Sequence, residues 1–309
     1  MASLMIGGLS AGAAHAEVGD SPLSGLPGGD GKPVIMVKLD NTGLARPHTG
    51  IVDADLVYVE QVEWGLTRLA AVFNRKIPKI VGPVRSARIS DLEILKQFSA
   101  PGLVFSGANN VLLKQIAASN AVSLSPMEKG EFFYRNLKKE VPHNQMLEMA
   151  EMLAKTKGLG VVSDIGFTFD RTIPGGGTAI KTFKATWPAS IISGEWSKKG
   201  WSISVDGWVQ KDYVTSQPVL ARTVVVQFVE QNDSQQGDRF GGKTPLARTV
   251  GSGSAFILRN GQRFSATWSR PNATSGTSFL VGGSPFPFDV GQVWILLVDA
   301  KKMNTVSLK

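Results

Sequence analysis

The residues best suited to chemistry fall into two groups. The first is the run Gly82-Pro83-Val84-Arg85-Ser86-Ala87-Arg88, which leads directly into a helix predicted from a capping box at Ser90 and Glu93. Two guanidinium groups beside a helix start combine fixed charge, bidentate donors and backbone amides, the means by which proteins hold phosphate or carboxylate. Arg68, just past a turn at Trp64-Gly65, can join them. The opposing expectation is internal pairing of these arginines with Glu60, Glu63, Asp55 or Asp91. The second group is acid–base: Glu60 and Glu63 as the two carboxyls of a glycosidase, with His143 in Val141-Pro142-His143-Asn144. Three residues apart on an extended chain, Glu60 and Glu63 point to opposite faces unless the Trp64-Gly65 turn re-aims one. The candidate ligand-binding set is therefore Arg68, Arg85, Ser86, Arg88 and Asn144, and the candidate catalytic set Glu60, Glu63 and His143.

Other chemistries are excluded or refused. The chain has no cysteine, which removes thiol catalysis and zinc–thiolate sites. Of its three histidines, His15 falls in the leader, so the rest cannot build a three-histidine metal site. Gly237 to Thr244 fits the phosphate-loop pattern G-x-x-x-x-G-K-[ST], but Pro245 follows at once and no helix is in prospect, so it is expected to be a mobile hairpin loop. No cofactor, metal or nucleotide is expected.

Elements must position these groups. At 309 residues, two domains are expected, and 42% hydrophobic against 19% charged residues suffices for two cores. Residues 1–16 end in Ala14-His15-Ala16, a signal-peptide cleavage pattern lacking the usual basic start, so the leader can be longer than this. Residues 17–32, rich in Gly, Pro, Ser and Asp, are expected to be a flexible linker. From 33 to 185, strands and helices alternate. Strands are predicted at Val34–Leu39, Leu56–Gln61, Thr67–Phe73 and Leu103–Phe105, and helices at Ser90–Phe98, Asn109–Ala118 and Asn144–Lys157. Asn144 would cap the last helix, with Met146, Met149 and Met152 as apolar filler. From 186 to 309 helical periodicity vanishes, and short strands are separated by turns such as Asp206-Gly207 and Asn260-Gly261. Six of the seven tryptophans lie here and are expected in the core. No later stretch approaches the length of a membrane span.

The formal net charge of +8 is spread over both halves, with no basic tail. Such a field favours soft association with anionic polymers.

Ala45-Arg46-Pro47-His48-Thr49-Gly50, Asp53-Ala54-Asp55-Leu56-Val57-Tyr58, Val62-Glu63-Trp64-Gly65-Leu66-Thr67-Arg68, the arginine run and Pro142-His143-Asn144 together resemble the YerB-like family of bacterial envelope proteins (domain-of-unknown-function family 3048). Gly251-Ser252-Gly253, Leu258-Arg259-Asn260-Gly261, Thr267-Trp268-Ser269-Arg270-Pro271 and Gly291-Gln292-Val293-Trp294 resemble that family's C-terminal domain. The resemblance implies a mixed α/β fold, an N-terminal α/β layered sandwich followed by a mainly antiparallel β domain. It implies no established activity. Lipid-anchored members carry a cysteine at the cleavage site, so this chain is expected to be exported but not lipid-anchored by cysteine. Trp64 stands where a small residue is expected and could line a cleft. The functional expectation is a non-catalytic binding or scaffolding module for an anionic wall polymer or an envelope protein, without nucleic acid. The alternative is an envelope polysaccharide hydrolase using Glu60, Glu63 and His143.

Overall fold

The structure, a computed structural model, describes residues 19–162, 164–238 and 240–309. The signal peptide expected over 1–16 lies outside them. Its first half supplies β1 (Ile35–Asp40), β2 (Leu56–Gln61), β3 (Thr67–Phe73), α1 (Ile89–Leu95), β4 (Gly102–Val104), α2 (Asn110–Ala117) and β5 (Val122–Leu124). Next come α3 (Pro126–Lys129), β6 (Phe133–Arg135), β7 (Gln145–Leu147) and α4 (Met149–Ala154). The second half supplies β8 (Thr178–Ala179), β9 (Thr182–Trp187), β10 (Ser190–Ser197), β11 (Gly200–Val205), β12 (Trp208–Val209), β13 (Leu220–Ala221) and β14 (Thr223–Gly237). It continues with β15 (Lys243–Arg248), β16 (Gly251–Arg259), β17 (Gln262–Arg270), β18 (Ser278–Val281), β19 (Ser284–Pro285), β20 (Val293–Asp299) and β21 (Val306–Leu308).

β1 and β2 are apolar almost without alternation because both their faces are covered. They sit mid-sheet in the order β19-β18-β17-β16-β14-β20-β2-β3-β1-β4-β5, with β15 and β8 attached at the side. One face, carrying Val37, Val57 and Ala71, packs on a second sheet of β9–β13 and β21 through Phe183, Ile192 and Trp201. The other face, carrying Met36, Tyr58 and Ala70, is covered by α1 and α2 through Leu92, Leu112 and Ile116. The fold is mixed and sheet-rich. The α/β half and the β-rich half meet within one sheet, where β20, from the last residues, pairs in parallel between β2 and β14. The two sequence halves share one sheet and its cores.

Three local expectations are corrected. Residues 19–32 do not form a free linker: Leu23 is fully buried, and the Ser24 hydroxyl donates to Asp55 Oδ1 at 2.6 Å. Gln145–Leu147 is a strand, paired with β6 and with Val81, so the helix begins only at Met149. The pairing partners are remote in sequence, which is why the local period favoured a helix. α1 starts at Ile89 with the Arg88 amide donating to Asp91. Ser90 and Glu93 face the other way, accepting from the amides of Ala247 and of Thr249 and Val250. The methionines 146, 149 and 152 are core, as are Trp187, Trp201, Trp268 and Trp294, while Trp208 is exposed. Asn260 and Gly261 both take positive φ in the β16–β17 hairpin.

Candidate functional site

β1, β2, β4 and β5 run in one direction, with β3 antiparallel between β1 and β2. Open sheets of this kind place ligand crevices beyond the carboxyl ends of their parallel strands. There β1 ends in Lys38 and Asp40, β2 ends in Glu60, and β3 begins with Arg68, registered opposite both Asp40 and Glu60. The arginine run lies extended across these ends. Arg85 N donates to Lys38 O, Ser106 N to Arg85 O, and Ala87 N to Gly107 O. The segment is thereby fixed between β1 and the loop after β4.

A cleft of about 680 Å³ opens at this place, lined by Arg68, Arg85, Ser86 and Arg88, by Gly107 to Asn109, by Pro142, and by Gly237, Asp238 and Phe240. Its far wall is the β14–β15 hairpin. Trp64, at φ 61°, donates from its indole to Asp238 Oδ2 at 3.1 Å. Gly242 lies so close that a Cβ would come within 2.6 Å of that indole nitrogen. Trp64 therefore holds the hairpin rather than lining the cleft. The phosphate-loop match is this hairpin tip: Asp233, not a phosphate, takes the Lys243 ammonium, and no helix follows.

The three arginines differ in how they are neutralised. Arg88 grips Glu63 through two nitrogens, at 2.6 and 2.7 Å, and Thr244 Oγ1 donates to the same carboxylate. Burial would raise the Glu63 carboxyl, but Arg88 and Thr244 hold it below its ordinary range. Arg85 Nε lies 3.1 Å from Asp40 Oδ2, which also receives His143 Nδ1 at 2.6 Å. Burial again opposes, yet the bonds from His143 and the Thr42 amide, with the Arg85 charge, keep Asp40 below the usual carboxylate range. Internal pairing thus claims Arg85 and Arg88. Among the described residues no carboxylate lies within 4 Å of Arg68, whose Nη1 donates to Ser86 O at 2.8 Å. Burial, then the Arg88 charge, pushes its guanidinium down to about 9, so it stays cationic at neutral pH.

Beneath the cleft a second charged group is sealed. Lys38 Nζ lies 2.7 Å from Glu60 Oε1 and from Asp91 Oδ1, and all three side chains are essentially inaccessible. Burial and the adjacent Asp91 charge push Glu60 up to about 8, against the pull of Lys38. Glu60 is therefore the carboxyl of the triad held well above its ordinary range.

The structure therefore brings Arg68, Arg85, Ser86 and Arg88 together in one cleft. It places the others outside that lining. Asn144 is buried, accepting from Arg135 and donating to the carbonyls of Asn136 and Lys139, and serves to tie down a loop. Glu60 and Glu63 cannot flank a glycosidic bond, one being sealed with Lys38 and the other gripped by Arg88. His143 is coupled to Asp40, which the sequence did not single out. Asn109 reaches the cleft as the α2 cap, its Oδ1 accepting from Leu112 N at 2.8 Å. Asp238 lies in the hairpin expected at Gly237–Thr244, but it is far away in sequence and nothing local places that hairpin against the arginines. His48 is buried and neutral, donating from Nε2 to Asp40 O, with burial pushing it down to about 4.

Fold and site together define a sheet-rich mixed α/β protein with a cationic cleft at its parallel strand ends. Residues 23–162 and 192–295 match the N- and C-terminal domains of the family described as protein of unknown function (DUF3048), and the chain belongs to that family. It is 24% identical over 286 residues to a Bacillus subtilis protein named "Putative lipoprotein YerB", covering 89% of this chain and 84% of that one. The crystal structure of the Bacillus subtilis YerB protein superposes with a TM-score of 0.78 at 21% identity, over 94% of this chain and 99% of that chain, and shows the same fold. The relative's name overturns the expectation that lipid anchoring is excluded here. That expectation rested on the absence of cysteine from residues 1–309.

Proposed function

We propose that this is an envelope protein whose cleft binds an anionic component, a phosphate- or carboxylate-bearing polymer or an acidic partner, without transforming it. The observation that carries this reading is Arg68: a part-buried cation with unused donors and no carboxylate partner among the described residues, between two arginines already paired. A desolvated cation without a counter-charge is costly, and a bound anion supplies that charge. The test is co-sedimentation of the chain with purified cell walls at low and high salt. Binding should weaken as salt rises and be lost in Arg68→Gln with an unchanged melting curve. Salt-independent binding, or equal binding by the variant, would refute it.

A second reading is favoured by one contact, the 2.6 Å bond between buried Asp40 and part-exposed His143. Such a carboxylate fixes an imidazole's tautomer and supports acid–base work. On this reading the chain cleaves a wall polysaccharide, and turnover disappears in His143→Gln. No turnover across a panel of wall polymers would dismiss it.

A further inference from the structure

Three loops are tied together on the flank beyond Pro142. The first, residues 42–50, joins the second, 136–143, through Lys139, whose ammonium donates to the carbonyls of Ala45 and Pro47. It joins the third, 206–215, through Arg46, which donates to Val205 O and pairs with Asp206, and through Tyr213 N, which donates to His48 O. Lys139 also stands over the Tyr213 ring, 5.0 Å from its centroid.

These loops project apolar side chains into solvent. Leu44 is 50% exposed, Leu137 93%, and Val141 72%. Trp208 at 75%, Val209 and Val214 extend the same surface, with Tyr213 at its edge. Nearly half of the exposed large hydrophobic side chains of the described residues thus come from three short loops, a concentration that marks an interaction site.

We propose that this surface docks on an anionic lipid bilayer. Charge selects the sign: Lys138 and Lys211 are exposed, Arg46 neutralises Asp206, and Asp212 is buried as a cap for the amides of Gly50, Val214 and Thr215. Glu140 is the one exposed acid left among them. Shape selects the partner. Trp208 and Val209 form the two-residue edge strand β12, and the other apolar groups sit on separate loops, so the patch is discontinuous and suits a deformable surface into which each segment inserts. Trp and Tyr with flanking lysines is the composition that favours a membrane–water interface. This surface is independent of the cleft reading, although Pro142 belongs to both the second loop and the cleft wall.

The test is co-flotation of the full chain with phosphatidylcholine vesicles, with and without phosphatidylglycerol, at low and high salt. The doubly substituted Trp208→Ser, Val209→Ser chain and the Lys138→Glu, Lys211→Glu chain serve as variants. Binding should require the anionic lipid, weaken with salt and fall at least about tenfold in either variant. All substituted positions are exposed, so far-ultraviolet circular dichroism and urea midpoints should be unchanged. The variants share the first eighteen residues with the parent, so a difference reports the loops alone. Equal flotation by parent and variants overturns the proposal. So does a dimer that dissociates in the Trp208 variant without any vesicle binding, which would assign the surface to a second copy.

Discussion

The arginine cleft and the lysine triad below it use the same chemistry at the same strand ends and come to opposite results. Lys38 has two carboxylates and no solvent exposure; Arg68 has one backbone carbonyl and an open cleft. In the triad, the lysine and two carboxyls close on one another. In the cleft, two arginines pair with carboxylates and Arg68 has none within 4 Å among the described residues. Position relative to the surface, not residue type, separates a charge closed on carboxylates from one left without such a partner.

That contrast breaks first at Lys38. Lys38→Met leaves Asp91 and Glu60 facing each other without a cation and should cost about 3–5 kcal/mol in urea unfolding. Loss of less than about 1 kcal/mol would mean the triad is not sealed. The pH dependence of stability sharpens the comparison next. Glu60 has its pKa raised from 4.5 to about 8, so its contribution is full below about 4.5 and is lost as pH rises through about 8. Glu60→Gln should flatten the decline between about pH 4.5 and about pH 8. Asp40 and Glu63 are lowered instead, so their contribution is present above the ordinary carboxylate range and lost on acidification. Urea midpoints measured across pH should therefore show parent and Glu60→Gln diverging as pH rises from about 4.5 to about 8 and running parallel above that. Arg88→Ala comes third: it strips buried Glu63 of its cation and should cost about 2 kcal/mol, with a weakened acid decline. The smallest stability effect belongs to Arg68→Gln, within about 1 kcal/mol of the parent, because no carboxylate is left behind. Its effect on binding should be the largest of the cleft substitutions. A large loss of stability there would make Arg68 structural and remove the basis of the cleft reading.

Much of the fold was legible because its signals are local. The β-rich runs at 35–40, 56–61 and 67–73, the Asn109 cap and the Asn260-Gly261 turn each rest on residues within one element. The 145–147 strand was not, because its partners are at 81 and 133–135 and its own spacing suits a helix. Of the site, Arg68, Arg85, Ser86 and Arg88 were legible from charge beside a turn and a helix start. Asp40 was hidden as the last residue of an apolar strand, and the Asp238 hairpin lies far along the chain.

The sequence by itself determined the mixed composition of elements, the clustering of arginines and membership of a recognisable family. Tertiary structure alone decided which arginine keeps its charge unpaired, that Glu60 is sealed away from any substrate, and that the last long strand, Val293–Asp299, completes a sheet begun at Ile35. Propensity and capping act over a few residues and are written along the chain. Desolvation and ion pairing depend on which distant side chains and how little water surround a group, and only the folded chain sets those.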